Sequence, residues 1–373
     1  MRIHPDCVIL KFSLVILSGV LAYSTPGARA QESTAAAASK LDISGFVDAY
    51  YSKNLAQPPG RTNKLRNFDI AENQFNLSLA EIVVQKKAEP VGFRFDFDFG
   101  TTNDVVQPGV TSTLSHTQQA YLTAVLPIGS GLTVDVGKFV THMGNEVIES
   151  QNNWNYSRSF LFAFAIPYYH TGIRLTVPVA SNFSASVHIV NSWNSVIDNN
   201  DFKSVGLTLN YALTGSTGLI ANAMDGFENL TASENGKRTV FDFIISHQLT
   251  DAVSLVLNAD YGQAKTDAGL AIWNGVALYE RFAIDDKSAV VLREEIFDDP
   301  TGYATGTGIP KFDVKEVTGT YEYKFADALL LRGELRYDFS NAPAFDKKAD
   351  SKTNGIGTEN KQLTFLVGAV ATF

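Results

Sequence analysis

The residues of this chain that could do chemistry are charged side chains spaced two apart. In GFRFDFDFG (92–100), Arg94, Asp96 and Asp98 alternate with phenylalanine. Arg293 and Glu295 repeat the spacing, and Arg332, Glu334, Arg336 and Asp338 extend it in LLLRGELRYDFS (329–340). Arg174 stands alone in a similar apolar setting. Period two puts successive members of such a row on one face of a strand. Guanidinium and carboxylate in one row neutralise each other through charge-assisted hydrogen bonds. Facing rows also impose a transverse field on whatever passes between them. Both uses are expected here: ladders that stiffen the wall of a wet interior, and a subset near its narrowest point that tunes selectivity.

A second set lies in THMGNEVIESQNNWNYSRSFLFAFAIPYYH (141–170), where Glu146, Glu149 and Arg158 are the charges expected near a constriction. Ser157 or Ser159 can be drawn with His142 or His170 as a nucleophile and base. Proximity in sequence is not triad geometry, so no enzyme is expected. After residue 30 the histidines are His116, His142, His170, His188 and His247, and none forms a His-x-x-x-His or Glu-flanked pair. With Cys7 the only cysteine, no metal site and no cofactor is expected. DNNDF (198–202) and FDDPTG (297–302) offer carboxylates to a divalent cation, but read most simply as solvated loop tips.

The elements that must position these charges alternate with period two over about ten residues. Sixteen strands are predicted, near 42–52, 72–86, 92–100, 115–127, 131–140, 169–179, 182–192, 202–213, 218–225, 238–249, 253–262, 270–284, 288–297, 311–325, 329–340 and 361–373. Connections alternate between short (88–92, 128–131, 180–182, 214–218, 250–252, 285–287, 326–328) and long (53–71, 101–114, 141–168, 193–201, 226–237, 263–269, 298–310, 341–360). That rhythm is an up-and-down meander with its tight turns at one end. One face of each strand is apolar, as in Leu331, Leu335, Tyr337 and Phe339, and the other polar. Tyr50, Tyr51, Phe99, Tyr211, Tyr261, Phe282, Phe325 and Phe339 fall at strand ends, as interfacial girdles require.

The chain has 373 residues, 45% hydrophobic and 18% charged, which excludes disorder and a bundle of spanning helices. Arg2 and Lys11 precede FSLVILSGVLA (12–22), and Ala28-Arg29-Ala30 supplies a small-residue cleavage pattern. Residues 1–30 therefore read as a secretory signal peptide and 31–40 as a tether. The formal charge is −9, and removing the +2 of Arg2, Lys11 and Arg29 against Asp6 leaves about −11. No basic stripe exists to displace counterions, so nucleic acid is disfavoured and no such partner is expected. In lipid, every backbone polar group needs an internal partner, and exported strands with lipid-compatible faces must close into a barrel. Sixteen strands leave a lumen too wide for wall side chains to fill. The FLFAFAI run (160–166) is too apolar to float in water, so the long loop is expected to fold inward. The alternative is a cap or a protomer contact outside the lumen.

At that loop the sequence resembles a known family. GKF (137–139), Gly144 and Glu146, NYSRS (155–159), IPYYHTG (166–172), and Arg293-x-Glu295 followed by DDPTG (298–302) match the putative β-barrel porin-2, or OmpL-like, porins over most of 41–373. The resemblance implies an outer-membrane porin-like barrel, and implies architecture more firmly than substrate. The terminal Phe373, in phase with Phe365, Val367, Ala369 and Ala371, is similar to the assembly signal of bacterial outer-membrane barrels.

The reading is thus an all-β, transmembrane, up-and-down antiparallel barrel of about sixteen strands over 41–373, with an inward-folded long loop. The expected function is passive diffusion of small hydrophilic solutes or ions across the bacterial outer membrane. The alternative is a non-conducting barrel acting as an adhesin or structural protein through its loops. Expected partners are outer-membrane lipid and the solutes, with a homotrimer suggested by analogy.

Overall fold

Alternating apolar and polar residues bury one strand face and expose the other, and the chain repeats this sixteen times. The computed structural model describes residues 40–108, 113–198, 200–228 and 236–373. The expected signal peptide and all of the tether but Lys40 lie outside the described residues. The strands are β1 (Leu41–Asn54), β2 (Gln74–Lys86), β3 (Val91–Phe99), β4 (Thr117–Leu126), β5 (Leu132–Val140), β6 (Tyr169–Ala180), β7 (Phe183–Val190) and β8 (Ser204–Ala212). They continue as β9 (Thr217–Phe227), β10 (Lys237–Gln248), β11 (Val253–Thr266), β12 (Gly269–Ala283), β13 (Ser288–Asp299), β14 (Phe312–Ala326), β15 (Leu329–Ser340) and β16 (Lys361–Thr372). A short helix, α1 (Thr101–Val106), follows β3.

Every strand pairs antiparallel with its sequence neighbours, and β1 closes on β16 from Phe46↔Thr372 to Asn54↔Thr364. No edge is left among the described strands, as a hydrocarbon environment demands. Short turns gather at the end that carries the first residue of β1 and the last of β16. One expected long loop is absent. β11 and β12 run on to Thr266 and Gly269, leaving only residues 267–268 as the turn. The polar residues of QAKTDAG continue the ladder there, and Gly269 takes φ 118 to close it.

The outward face is apolar. On β3, Phe95 and Phe99 are 37% and 44% exposed, whereas Asp96 and Asp98 between them are 0% and 2%. Tyr50 departs from the expected girdle. It faces inward at 3% exposure, and its hydroxyl accepts the Ala71 backbone N–H at 3.0 Å.

The interior holds the loop between β5 and β6. Leaving β5, the loop reaches Asp242 of β10 through Gly144 N–H (3.0 Å) and Asn258 of β11 through Asn145 N–H (3.1 Å). It then meets Glu295 of β13, Glu334 of β15 and Asp48 of β1. Those wall residues face away from the apolar outer surface, so the loop crosses inside the barrel. Its FLFAFAI run forms a π-helical turn (Leu161–Ala165) whose Phe160, Leu161, Phe162, Ala165 and Ile166 are all buried. Burying each large apolar side chain contributes about 1.5–3 kcal/mol. The loop between β1 and β2 also folds in: Phe68 packs 5.6 Å from Phe162, ring centre to ring centre, and Asn67 donates to Ala163 O at 3.0 Å.

Candidate vestibule and loop anchors

The expected pore-lining residues all face the interior, in two environments. Arg293, Glu295, Arg332, Glu334, Arg336 and Asp338 meet protein. Arg293, fully buried, donates to Glu146 Oε1 (2.7 Å), Ser157 O (2.6 Å) and Glu316. Arg336 pairs with Asp338 (2.7 Å), which also accepts Arg66 Nη2 (2.7 Å). Arg332 pairs with Glu322 (2.7 Å) and donates to the loop carbonyls of Ser150 and Asn153. Glu295 accepts the N–H groups of Phe160 and Leu161, both at 2.6 Å, and Glu334 accepts Tyr156 N–H at 2.8 Å. These side chains staple the loop to the wall from β13 to β15.

Arg94 and Arg174 meet open space, with side chains 32% and 25% exposed. Arg94 Nε donates to Asp96 at 2.9 Å, and Arg174 Nε to Asp135 at 2.8 Å. Arg174 also lies 4.9 Å from the Phe139 ring centre and 5.7 Å from that of Tyr121. Asp96 and Asp98 sit behind them, buried. The guanidiniums line a cavity of about 510 Å³ that also touches Glu81, Gln119, Tyr121 and Glu149. From there the interior faces of β6 to β8 carry half-exposed Thr176, Ser184, Ser186 and Thr208, and exposed Asn210. Toward the long-loop end the strands from β3 to β8 are closed, with Asp98, Phe139, His170, His188 and Ser204 buried, so the interior is packed in its long-loop half and open toward the short turns.

The three loop charges separate likewise. Glu146 accepts Ser159 N–H (2.7 Å), Ser159 Oγ–H (2.8 Å) and Arg293. Arg158 is buried, donates to the carbonyls of Val147, Ile148 and Tyr156, and has its pKa lowered by that burial. Glu149 alone borders the cavity; it accepts Gln118 Nε2–H, and burial raises its pKa. The serine–histidine pairing drawn from sequence does not form. Ser157 Oγ lies by Arg293 and Arg336, and Ser159 Oγ donates to Glu146. His142 instead stacks on His188 at 3.9 Å and lies 5.4 Å from His170, at the root of the loop. Burial pushes the His142 imidazole down to about 4.

Of the two acidic clusters, Asn199 of DNNDF lies outside the described residues, and Asp198 pairs with Lys203. Asp299 is a loop staple, accepting Tyr303 N–H (3.0 Å) and Thr305 N–H (2.9 Å). Among the described residues no group of three or more His, Cys, Asp or Glu is arranged to hold a metal ion.

Sequence reasoning missed Arg66, Glu81, Asp135, Glu316 and Glu322. It looked for charges two apart on one strand. Asp135 faces Arg174 across strands in register, and Glu322 faces Arg332. A single charge at an inward position of a neighbouring strand was the available signal.

Comparison with known proteins agrees with this architecture. The model of the putative β-barrel porin-2, OmpL-like family matches residues 40–373. Among solved structures, the chain is similar to an anion-selective porin from Comamonas acidovorans (TM-score 0.63, 12% identity, covering 90% of this chain and 100% of that one). It is similar to the trimer form of OmpT from Vibrio cholerae (0.61, 11%, 90% and 100%). It is also similar to the outer membrane channel DcaP of Acinetobacter baumannii (0.60, 11%, 90% and 98%). At such identities the likeness shows the fold alone. No curated protein matches the chain.

Proposed function

The chain belongs to that porin family of outer-membrane β-barrels, and we propose that it forms a water-filled channel for passive diffusion of small hydrophilic solutes. The observation that carries this reading is the asymmetric lumen. Loop and ion ladders pack the long-loop half, while Arg94, Arg174, Thr176, Ser184, Ser186, Thr208 and Asn210 of β3 to β8 stay solvent-accessible in the short-turn half. A wall built only to display loops has no use for a wet strip behind an apolar belt. In this reading the narrowest part lies where Glu149 of the loop faces Arg94 and Arg174. Selectivity then comes from the radius and the charges at that point, with no reaction and no cofactor.

Purified protein in a planar bilayer should give stable, step-like conductance. A barrel that inserts and conducts nothing would overturn the reading in favour of a non-conducting surface protein. Deleting 146–166 removes the loop that packs the interior and should raise single-channel conductance severalfold; unchanged current would sink the constriction. A homotrimer is part of the proposal, supported by the trimer form of one similar porin. Cross-linking in detergent should give a band three times the monomer mass, and a monomer alone would refute it.

A further inference from the structure

Resting on the channel reading, we infer that the cavity beside Arg94 and Arg174 is a binding site for small monocarboxylates, such as hydroxy acids, on their way through the barrel. The guanidinium fork matches a carboxylate when two N–H groups on one edge are free. Both arginines meet that condition. Each is held by its Nε alone, Arg94 on Asp96 and Arg174 on Asp135. Among the described residues no hydrogen bond reaches any of their Nη groups. The pair is also pre-positioned, since Arg174 is fixed over Phe139 and Tyr121. Little side-chain freedom is left to lose on binding, which favours affinity.

The surroundings narrow the ligand. The cavity volume of about 510 Å³ is within the range of small-molecule sites. Glu81 and Glu149 line it, and Asp96 and Asp135 stand behind the guanidiniums. Asp96 and Asp135 already offset most of the charge of the two guanidiniums, so the second charge of a dianion such as phosphate goes unmatched. A single carboxylate can seat on the fork while its remaining polar groups meet Gln119, Tyr121 and Glu149. Neutral solutes can accept single hydrogen bonds from the guanidiniums but form no ion pair with them.

The test is calorimetric titration of the detergent-purified full-length protein with sodium lactate, glucose and inorganic phosphate, run beside bilayer conductance. Saturable lactate binding that exceeds both competitors is the expected result. Arg94→Gln and Arg174→Gln should each weaken it about tenfold or more, the scale of a lost charged hydrogen-bond pair. Arg94→Lys, which keeps the charge and loses the fork, should recover only part. Equal binding of glucose, or tighter binding of phosphate, would overturn the carboxylate assignment. Should the glutamine variants fail to fold, the wild-type ranking of the three solutes still decides. A channel that conducts without binding lactate refutes this site and leaves the channel intact. Lactate binding without conductance would refute the channel reading and not the site.

Discussion

Arg293 illustrates what the inward charges do one residue at a time. It is fully buried between Glu146 on the loop and Glu316 on β14, so its worth lies in the company it keeps. Removing one partner of such a network leaves uncompensated carboxylates and costs about 3–5 kcal/mol. Arg293→Met should therefore lower the temperature at which the folded form converts to the unfolded form on detergent gels. Arg293→Lys should restore little, because one ammonium cannot reach Glu146, Glu316 and Ser157 together. A wild-type transition in the methionine variant would show that the ladder is ornamental. His142 makes the second residue-scale case. Its imidazole is pushed to about 4, below an ordinary value near 6.5. The unfolded chain then binds the proton first, so stability is full above pH 6.5 and falls as pH drops toward 4, by on the order of 3 kcal/mol. The Ala223 carbonyl and Asp242 favour the added charge and Arg174 opposes it, while His170 and His188 pack against the ring. Thermal scans from pH 7 to 4 should show this loss, and His142→Asn should flatten part of it. Identical pH profiles would remove His142 from the account.

At the scale of elements, the inward loop depends on how closely strands let it approach. Trp273 of β12 lies flat over Gly262 of β11, where an added Cβ would come within 2.0 Å of its ring. Its indole N–H in turn donates to Ala165 O at the loop tip, 3.1 Å away. Gly262→Ala should push the ring off, break that bond and cost about 1–3 kcal/mol by overpacking. A red-shifted tryptophan emission with a lowered thermal transition is the expected record, and an unchanged spectrum would discount the contact. This contact also marks where sequence stops being legible. The sixteen strands could be read because alternation is a local property, and the FLFAFAI tip because seven apolar residues need cover. The pairing of Arg174 with Asp135, or of Arg66 with Asp338, depends on register and on a second loop entering the lumen. Neither leaves a local trace. For the same reason, ten residues sharing one inward phase separated into six buried members of the loop ladder, two buried aspartates and two half-buried guanidiniums.

For the whole molecule, the outer belt must be apolar at every height where lipid reaches it, and Glu280 of β12, Glu294 of β13 and Lys315 of β14 test that rule. Glu294 is exposed on the outward face of β13, level with Leu278 of β12 and Val317 of β14. Glu280, also outward, stands opposite Leu292, so the two carboxylates are diagonal neighbours. Neither has an ion pair among the described residues, and Leu292 and Ile296 flank Glu294 along its own strand. The aromatic Phe282, Tyr323 and Phe325 lie nearer the short-turn end, which sets Glu294 above that girdle, with outward Lys315 of β14, opposite Ile296, as its diagonal neighbour toward the long loops. Charge on the lipid face of a barrel costs about 2–4 kcal/mol for Arg or Lys at the midplane, and less for Glu. Glu294→Leu should then raise the thermal transition in lipid by the equivalent of about 1–2 kcal/mol. Val276→Arg, at an apolar position facing outward beside Ile296, should lower it by about 2–4 kcal/mol. The two variants together measure whether lipid covers this stretch of wall. If Glu294→Leu instead weakens the cross-linked oligomer while Lys315→Met leaves it intact, a protomer supplying a cation covers Glu294, and the belt is continuous only in the assembly.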